Sequence, residues 1–584
     1  MAFDNNKLGE LRPNQIITTF GPGSIVDAVK DSVTVLDTNY WAEKGKKIID
    51  GRLASYLGVD CFYMPRTSYM GDVPVVTFPY THVCSNLKCG RLFDARENFD
   101  LDKYLKYGVT CPDCNRAAYP ARFITICENG HMDDFPWKWW VHRGNTNCGG
   151  KLKMYSTGNT STLADMFVEC SCGARRSMSG ATQKENFEDL SCTGHHAFRP
   201  NTKNNKKCTK PIIPSQRGAS NVYFAVSRSA ISIPPWINPL YNLIDDHFKL
   251  IEETRDMFGD EAITKIYEKY FFAYTRKEFD EALERRMNNI TEFKEIKQME
   301  YDAITHHNDP AYASNKKHFK AEEDEMPSYL KKYFSRVIRI TRLREVRVLV
   351  GFTRVEAPDP DADADDQTNI VLLNKSRAER WLPAAEIHGE GIFIEFNRDT
   401  LNKWVDSSVK KISRKYEECY REFCEAKGWK ITVLRNAEYV LMHTFSHLLI
   451  KQMSMSSGYS SSAIRERIYF GDKMCGILLY TGSADKEGSL GGLVELGTMS
   501  KLRTLMQDAF QEALLCTNDP ECMNNIPAGN NSNGAACHSC CMISETACEN
   551  GNRMLDRGLV VPIAGREDEA YFKELVSDLC QLEI

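Results

Sequence analysis

The chain carries 21 cysteines, and their placement constrains its fold more than any other feature. Eleven lie between Cys61 and Cys208, three more are Cys419, Cys424 and Cys475, and seven follow from Cys516 on. None occurs between Cys208 and Cys419. Cysteine used only as a small buried hydrophobe would not cluster in this way. The first residues, MAFDNNKLGELRPNQ, lack the basic-then-apolar order of a signal peptide, and no apolar run is long enough to cross a bilayer. The expected compartment is therefore the cytoplasm, where thiols stay reduced and clustered cysteines serve metals instead of disulfides. A chain of 584 residues is also too long for one core, so several domains are expected.

The strongest local signal is Cys84-x4-Cys89 with Cys111-x2-Cys114, two knuckles that describe a zinc ribbon. Val76, Thr77, Phe78 and Tyr80 lead in as a strand, and KYGVT reads as a second strand-like approach. In ICENGHMDDFPWKWWVHRGNTNC, Cys127, His131, His142 and Cys148 form a candidate second site, with Asp133 and Asp134 placed to orient the His131 ring. Cys170, Cys172, Cys192 and Cys208 form a candidate third. The tail supplies Cys516, Cys522, Cys537, Cys540 and Cys548, five thiols for four positions; Cys541 is the poorer ligand because adjacent side chains diverge. Zn2+ is the expected metal, with three or four ions per chain.

The remainder reads as mixed α+β and multidomain. Residues 1–80 form an α/β segment, 81–210 the Cys-rich zinc modules, 211–345 a predominantly helical region, and 346–584 an α/β domain ending in a zinc cluster. LYNLIDDHFKLIEETRDMF and EFDEALERRMNNITEFKEIKQMEYDAI show apolar residues at helical spacing. RVLVGFTRV, EGIFIEF and GILLYTGS read as strands, Asp399 as a helix N-cap, and Ala437–Met455 as a central helix apolar nearly all round. TTFGPGSIVD reads as a structural turn, and the acidic loop Ala357–Gln367 as a face turned away from DNA.

Several catalytic classes are excluded or weakened. No GxxxxGK[ST] occurs, so the chain is not expected to be an ATP-driven motor. His443 and His447 lie four apart on one helical face, but Thr444 stands where a zinc protease needs Glu. His318-x-Lys320 approaches a phospholipase-D motif but is followed by Glu325 in place of Asp, in what reads as a charged helix. A nuclease or other DNA-processing hydrolase built from His443, His447, Asp485 and Glu487 is the alternative enzymatic reading. The net charge is −5 with pI near 6.3, so DNA contact needs a local basic patch. One such run is His195, His196, Arg199, Lys203, Lys206, Lys207, Lys210 and Arg217. A free-standing DNA-binding module is the third reading, and the acidic balance counts against it.

Seven segments together resemble one family. RPNQIITTFGPGSIVD, CENGHMDDFPWKWWVH, QRGASNVYFAVSRSAISIP, WLPAAEIHGEGIFIEF, YVLMHTFSHLLI, YTGSADKEGSLGGLVELG and AACHSCCMISETACENGNRMLDR, in that order, resemble the DrmB family, the DUF1998-containing subunits of the DISARM antiphage system. The resemblance implies a non-catalytic, zinc-binding subunit that partners the helicase DrmA and helps bind phage DNA. It also implies that residues 346–584 are a DUF1998 domain whose zinc is held by Cys537, Cys540 and Cys548, with Cys516 or Cys522 as the fourth ligand.

Overall fold

The computed structural model describes residues 8–66, 73–97, 99–158, 162–200, 208–288, 290–310, 312, 318–358, 369–373, 380–431, 433–483, 492–529 and 531–581. Its centre is a nine-stranded sheet whose main path runs Phe224–Ile231, Phe334–Thr353, Trp381–Phe396, Met474–Ser483 and Ile464–Gly471. The middle strands are long because their sequences are rich in Val, Ile, Leu and Phe, which fit a pleated surface covered on both faces. Phe334–Thr353 runs unbroken through residue 345, where the sequence suggested a boundary. The amino-terminal segment joins the same sheet, since Cys61–Tyr63 pairs in parallel with Trp381–Pro383.

On one face of this sheet lies the helix Ala437–Ser457, buried at nearly every position from Ala437 to Ile450, as its all-round apolarity requires. Its Phe445 packs on Phe334, Phe396 and Phe572, so the terminal segment seals this core. The helix Arg398–Ser407 is capped by Asn397, not Asp399: the Asn397 side chain accepts the Thr400 N–H at 3.1 Å. The helical region comprises Pro239–Phe258, Ile263–Tyr270, Arg276–Met287 and Phe293–Thr305, flanked by strands at both ends. His318-x-Lys320 leads into the strand Lys320–Glu323 rather than lying in a helix.

The Cys-rich region holds a six-stranded sheet, ordered Arg175–Ser177, Met166–Cys170, Leu152–Ser156, Arg91–Asp94, Thr81–Cys84, Ala118–Pro120. A three-stranded sheet of Met132–Asp134, Phe123–Ile126 and Ile213–Gln216 stands beside it. KYGVT is not a strand; Leu101–Tyr107 is helical, with Asp100 accepting the Lys103 N–H at 3.0 Å. The aromatic run DFPWKWW packs as a core, with Trp140 stacked on Phe187 at 5.3 Å between centroids. TTFGPGSIVD is a filled turn: a Cβ on Gly23, at φ +88°, would lie 2.4 Å from Phe352, and its carbonyl already accepts Arg354 Nη2 at 2.8 Å. Most of the acidic loop Ala357–Gln367 lies outside the described residues.

Candidate metal centres

A tetrahedral zinc with Zn–S bonds of about 2.3 Å requires sulfurs about 3.8 Å apart. Among the described residues, four groups of Cys and His meet that demand, each with its ligand atoms within 4.8 Å of one another. The first is Cys84, Cys89, Cys111 and Cys114. Cys84 ends the strand Thr81–Cys84, and Cys89 lies one residue before Arg91–Asp94, so one hairpin turn delivers both. Cys84 Sγ lies 3.3 Å from Cys114 Sγ, and Cys89 Sγ lies 3.8 Å from Cys111 Sγ. These separations are far beyond a disulfide bond, and all four cysteines are free. Burial, with the neighbouring thiols, pushes the Cys84 thiol up to about 12, whereas the Arg116 N–H brings Cys114 down to about 7. One thiolate comes easily and the next is opposed by the first; a bound dication reverses that opposition.

The next two groups exchange partners relative to the sequence reading. Cys127 and His131 are grouped not with His142 and Cys148 but with Cys192 and Cys208. The hairpin joining Phe123–Ile126 to Met132–Asp134 sets Cys127 Sγ 3.3 Å from His131 Nδ1. The Met132 N–H donates to the His195 carbonyl at 3.0 Å, which carries the Cys192 segment alongside. The Cys127 thiol is lowered to about 4, first by its hydrogen bond with Cys192 and then by His131. Asp133 and Asp134 do not perform the expected orienting task. Asp134 accepts the Tyr80 and Thr81 N–H groups at 3.2 and 2.9 Å, and Asp133 accepts the Thr193 hydroxyl at 2.8 Å.

His142 and Cys148 group instead with Cys170 and Cys172. His142 Nδ1 donates to the Lys138 carbonyl at 2.8 Å, which leaves the Nε2 lone pair facing Cys172 Sγ at 3.3 Å. Cys148 and Cys170 sulfurs are 3.7 Å apart. The Ala174 N–H and then His142 lower the Cys172 thiol to about 6.

The fourth group is Cys516, Cys522, Cys537 and Cys540, just beyond the helix Met499–Leu514. The Cys516–Cys537 sulfur separation is 3.4 Å, and Cys522–Cys540 and Cys537–Cys540 are each 3.7 Å. Both Cys516 and Cys522 therefore belong to it, and Cys548 does not: it faces His443, His447 and Glu466. Cys541 is outside the group of four, and its thiol is directed at the Ala535 carbonyl. Fully buried Arg557 grips both Asp519 carboxylate oxygens at 2.6 and 2.7 Å and the Ala513 carbonyl at 2.8 Å. Asp519 in turn accepts the Cys516 N–H at 2.9 Å, so one side chain ties the cluster to the helix end.

Three members of the basic run near residue 200 are held in ion pairs, only one of them with a buried carboxylate. Arg199 pairs with Asp37 at 2.6 Å, Lys210 with Glu128 at 2.8 Å, and Arg217 with Asp27. His196 is half-buried beside His131, with ring centroids 4.3 Å apart. Lys203, Lys206 and Lys207 lie outside the described residues, as do Asp485 and Glu487. No helix among the described residues is long and apolar enough to cross a membrane.

A mixed α/β architecture with several closed Cys and Cys/His clusters that fit Zn2+ defines a multidomain zinc protein. Residues 445–541 match the MrfA Zn-binding domain, and residues 12–224 match a domain of unknown function, DUF8724. The chain is 44% identical over 571 residues to the DISARM protein DrmB of Bacillus paralicheniformis, covering 94% of this chain and 100% of that protein. It belongs to the DrmB family of DISARM proteins. Among solved structures, the DUF1998 helicase MrfA bound to DNA shows 12% identity over 45% of this chain at a TM-score of 0.18. The chain spans only 24% of that structure's length.

Proposed function

We propose that this chain is the non-catalytic, zinc-stabilised subunit of a DISARM complex, docking the helicase DrmA and helping to hold foreign DNA. The observation that carries the reading is the match to DrmB over the whole length of that relative. The zinc ligands we assign are Cys84, Cys89, Cys111 and Cys114; Cys127, His131, Cys192 and Cys208; His142, Cys148, Cys170 and Cys172; and Cys516, Cys522, Cys537 and Cys540. Each set already offers four protein donors, which leaves no position for a catalytic water and supports a structural role. A structural zinc contributes on the order of 10 kcal/mol to folding in isolated small modules, enough to fix a docking surface.

The hydrolase reading finds little support. His443 and His447 are fully buried, where a nucleic-acid phosphate has no access. The test is co-purification with DrmA before and after zinc removal, with gel shifts of the subunit alone and with the helicase. Loss of DrmA binding on chelation, with tight DNA binding only in the pair, is the expected result. A chelated chain that keeps its fold and its partner sinks the proposal. Nanomolar DNA binding by the subunit alone at physiological salt would favour an independent DNA-binding module.

A further inference from the structure

His443, His447, Glu466 and Cys548 come together in the core of the carboxy-terminal domain, apart from the four clusters above. The two histidines share one face of the helix Ala437–Ser457, Glu466 lies on the strand Ile464–Gly471, and Cys548 comes from the terminal segment. Both imidazoles and the carboxylate are fully buried, and Cys548 is partly buried.

The hydrogen bonds outside the group fix where the protons sit. His443 Nδ1 bonds the Met554 carbonyl at 3.3 Å, and His447 Nδ1 bonds the Cys541 carbonyl at 2.9 Å. A carbonyl only accepts, so Nδ1 carries the hydrogen in both rings, and a neutral imidazole then presents a bare lone pair at Nε2. Those lone pairs face Glu466 Oε1, at 3.0 Å from His443 and 3.4 Å from His447. His443 Nε2 also faces Cys548 Sγ at 3.2 Å. Acceptors thus converge on acceptors. Protons could relieve this only on the Cys548 thiol, on the Glu466 carboxyl, or on two rings whose centroids are 4.5 Å apart; a single divalent cation would engage all four donors at once.

The backbone around Cys548 repeats that of the four clusters. In each cluster at least one cysteine sulfur accepts the N–H of the residue two positions on: Asn86 to Cys84, Gly194 to Cys192 and Asn518 to Cys516 at 3.4 Å, and Gly150 to Cys148 at 3.3 Å. Asn550 does the same to Cys548 at 3.3 Å, joined by Asn552 at 3.3 Å. Cys419, Cys475, Cys541 and Cys580, outside these groups, instead direct their thiols at backbone carbonyls. N–H donation to sulfur stabilises thiolate, the form that binds metal.

We propose that His443 Nε2, His447 Nε2, Glu466 and Cys548 Sγ hold a fifth divalent metal ion of the zinc class, in a closed four-donor site. One soft thiolate, two imidazoles and a carboxylate all suit Zn2+; the thiolate and the burial distinguish the site from the open two-histidine, one-carboxylate sites of oxygen-activating iron. The MrfA Zn-binding match covers residues 445–541 and so leaves out His443 and Cys548. The ion would pin the central helix, the sheet and the terminal segment at one point.

Native mass spectrometry of the full chain, purified from zinc-supplemented cells, tests this by counting ions. Five ions in the wild type, falling to four in Cys548→Ser and in His447→Gln, is the expected result. Four ions in the wild type, or a count that either folded variant leaves unchanged, overturns it. Zinc-edge anomalous scattering from wild-type crystals decides the matter even if neither variant folds. A peak between His443 Nε2 and Cys548 Sγ supports the site, and its absence there overturns it. Cys84→Ser provides a separate count for the ribbon, so under-loading of that cluster is not mistaken for loss of this one.

Discussion

Arg467 donates from Nε to Glu300 Oε2 at 2.6 Å and from Nη2 to Glu300 Oε1 at 3.0 Å, with both side chains shut off from solvent. Tyr469 and the Ile231 N–H also donate to that carboxylate, at 3.0 and 2.8 Å. The helix Phe293–Thr305 is thereby bonded to two strands of the central sheet. Removing one partner of a buried pair strands the other charge, at about 3–5 kcal/mol. Glu300→Gln should lower the thermal midpoint of the chain sharply. The double variant Glu300→Gln/Arg467→Met should recover part of the loss, because the guanidinium that lost its two-point partner, and keeps only Glu549 at 3.8 Å, is gone as well. A double variant no more stable than Glu300→Gln would contradict this account.

The exchanged pairing of the middle clusters makes a thiol-mapping prediction. Cys192→Ser should leave Cys127 and Cys208 open to alkylation while Cys148, Cys170 and Cys172 stay protected. Peptide mass mapping after a brief iodoacetamide pulse reads this directly. Sequential pairing would instead leave Cys127 protected and expose Cys170 and Cys172.

Glu345 is fully buried between Arg347 at 2.8 Å and Arg465 at 3.3 Å. Burial alone would raise its pKa, but the two guanidinium charges outweigh it and hold the carboxyl down at about 2. A depressed folded-state value means that the stabilisation is complete above the unfolded value of about 4.3 and is lost as pH falls toward about 2. Its size is roughly 3 kcal/mol, at about 1.4 kcal/mol for each pH unit of separation. Glu345→Gln should therefore be clearly weaker than wild type in urea at pH 7, with the difference narrowing at pH 3. A difference independent of pH would show that the charge is not its origin.

Arg557 holds Asp519 with two parallel bonds, a geometry that lysine cannot reproduce. Arg557→Lys should cost about 2 kcal/mol and loosen the Cys516–Cys540 cluster. Faster zinc transfer to a colorimetric chelator, confined to one equivalent per chain, is the expected signal. An unchanged rate would mean that Asp519 is held well enough by the Cys516 and Met523 N–H groups alone.

The sequence made some of this legible and concealed the rest for physical reasons. The ribbon at Cys84–Cys114 could be read because one hairpin and one tight turn supply its ligands, so the information is local. The middle clusters group differently in the structure, although proximity along the chain favours Cys127 with Cys148. The grouping in the structure depends on the Cys192–His196 segment lying beside Met132–Asp134, a tertiary contact without a local signature. His443 and His447 stood out as a pair, but Glu466 and Cys548 reach them only through the fold of sheet and tail. The central helix Ala437–Ser457 and the strand Met474–Ser483 were plain from composition, since burial on all sides selects for apolar residues throughout.

The middle clusters are nested: residues 142–172 lie wholly inside the span from 127 to 208. During synthesis, the inner set has all four ligands once Cys172 has left the ribosome, while the outer set still lacks Cys192 and Cys208. Cys127 and His131 gain their own two partners last, after the inner set is complete. Assembly from the inside outward, as brackets close, lets each ion take its own ligands. An ion that captured Cys127, His131, His142 and Cys148 first would leave four thiols behind it and trap the chain in the order that its sequence alone suggests.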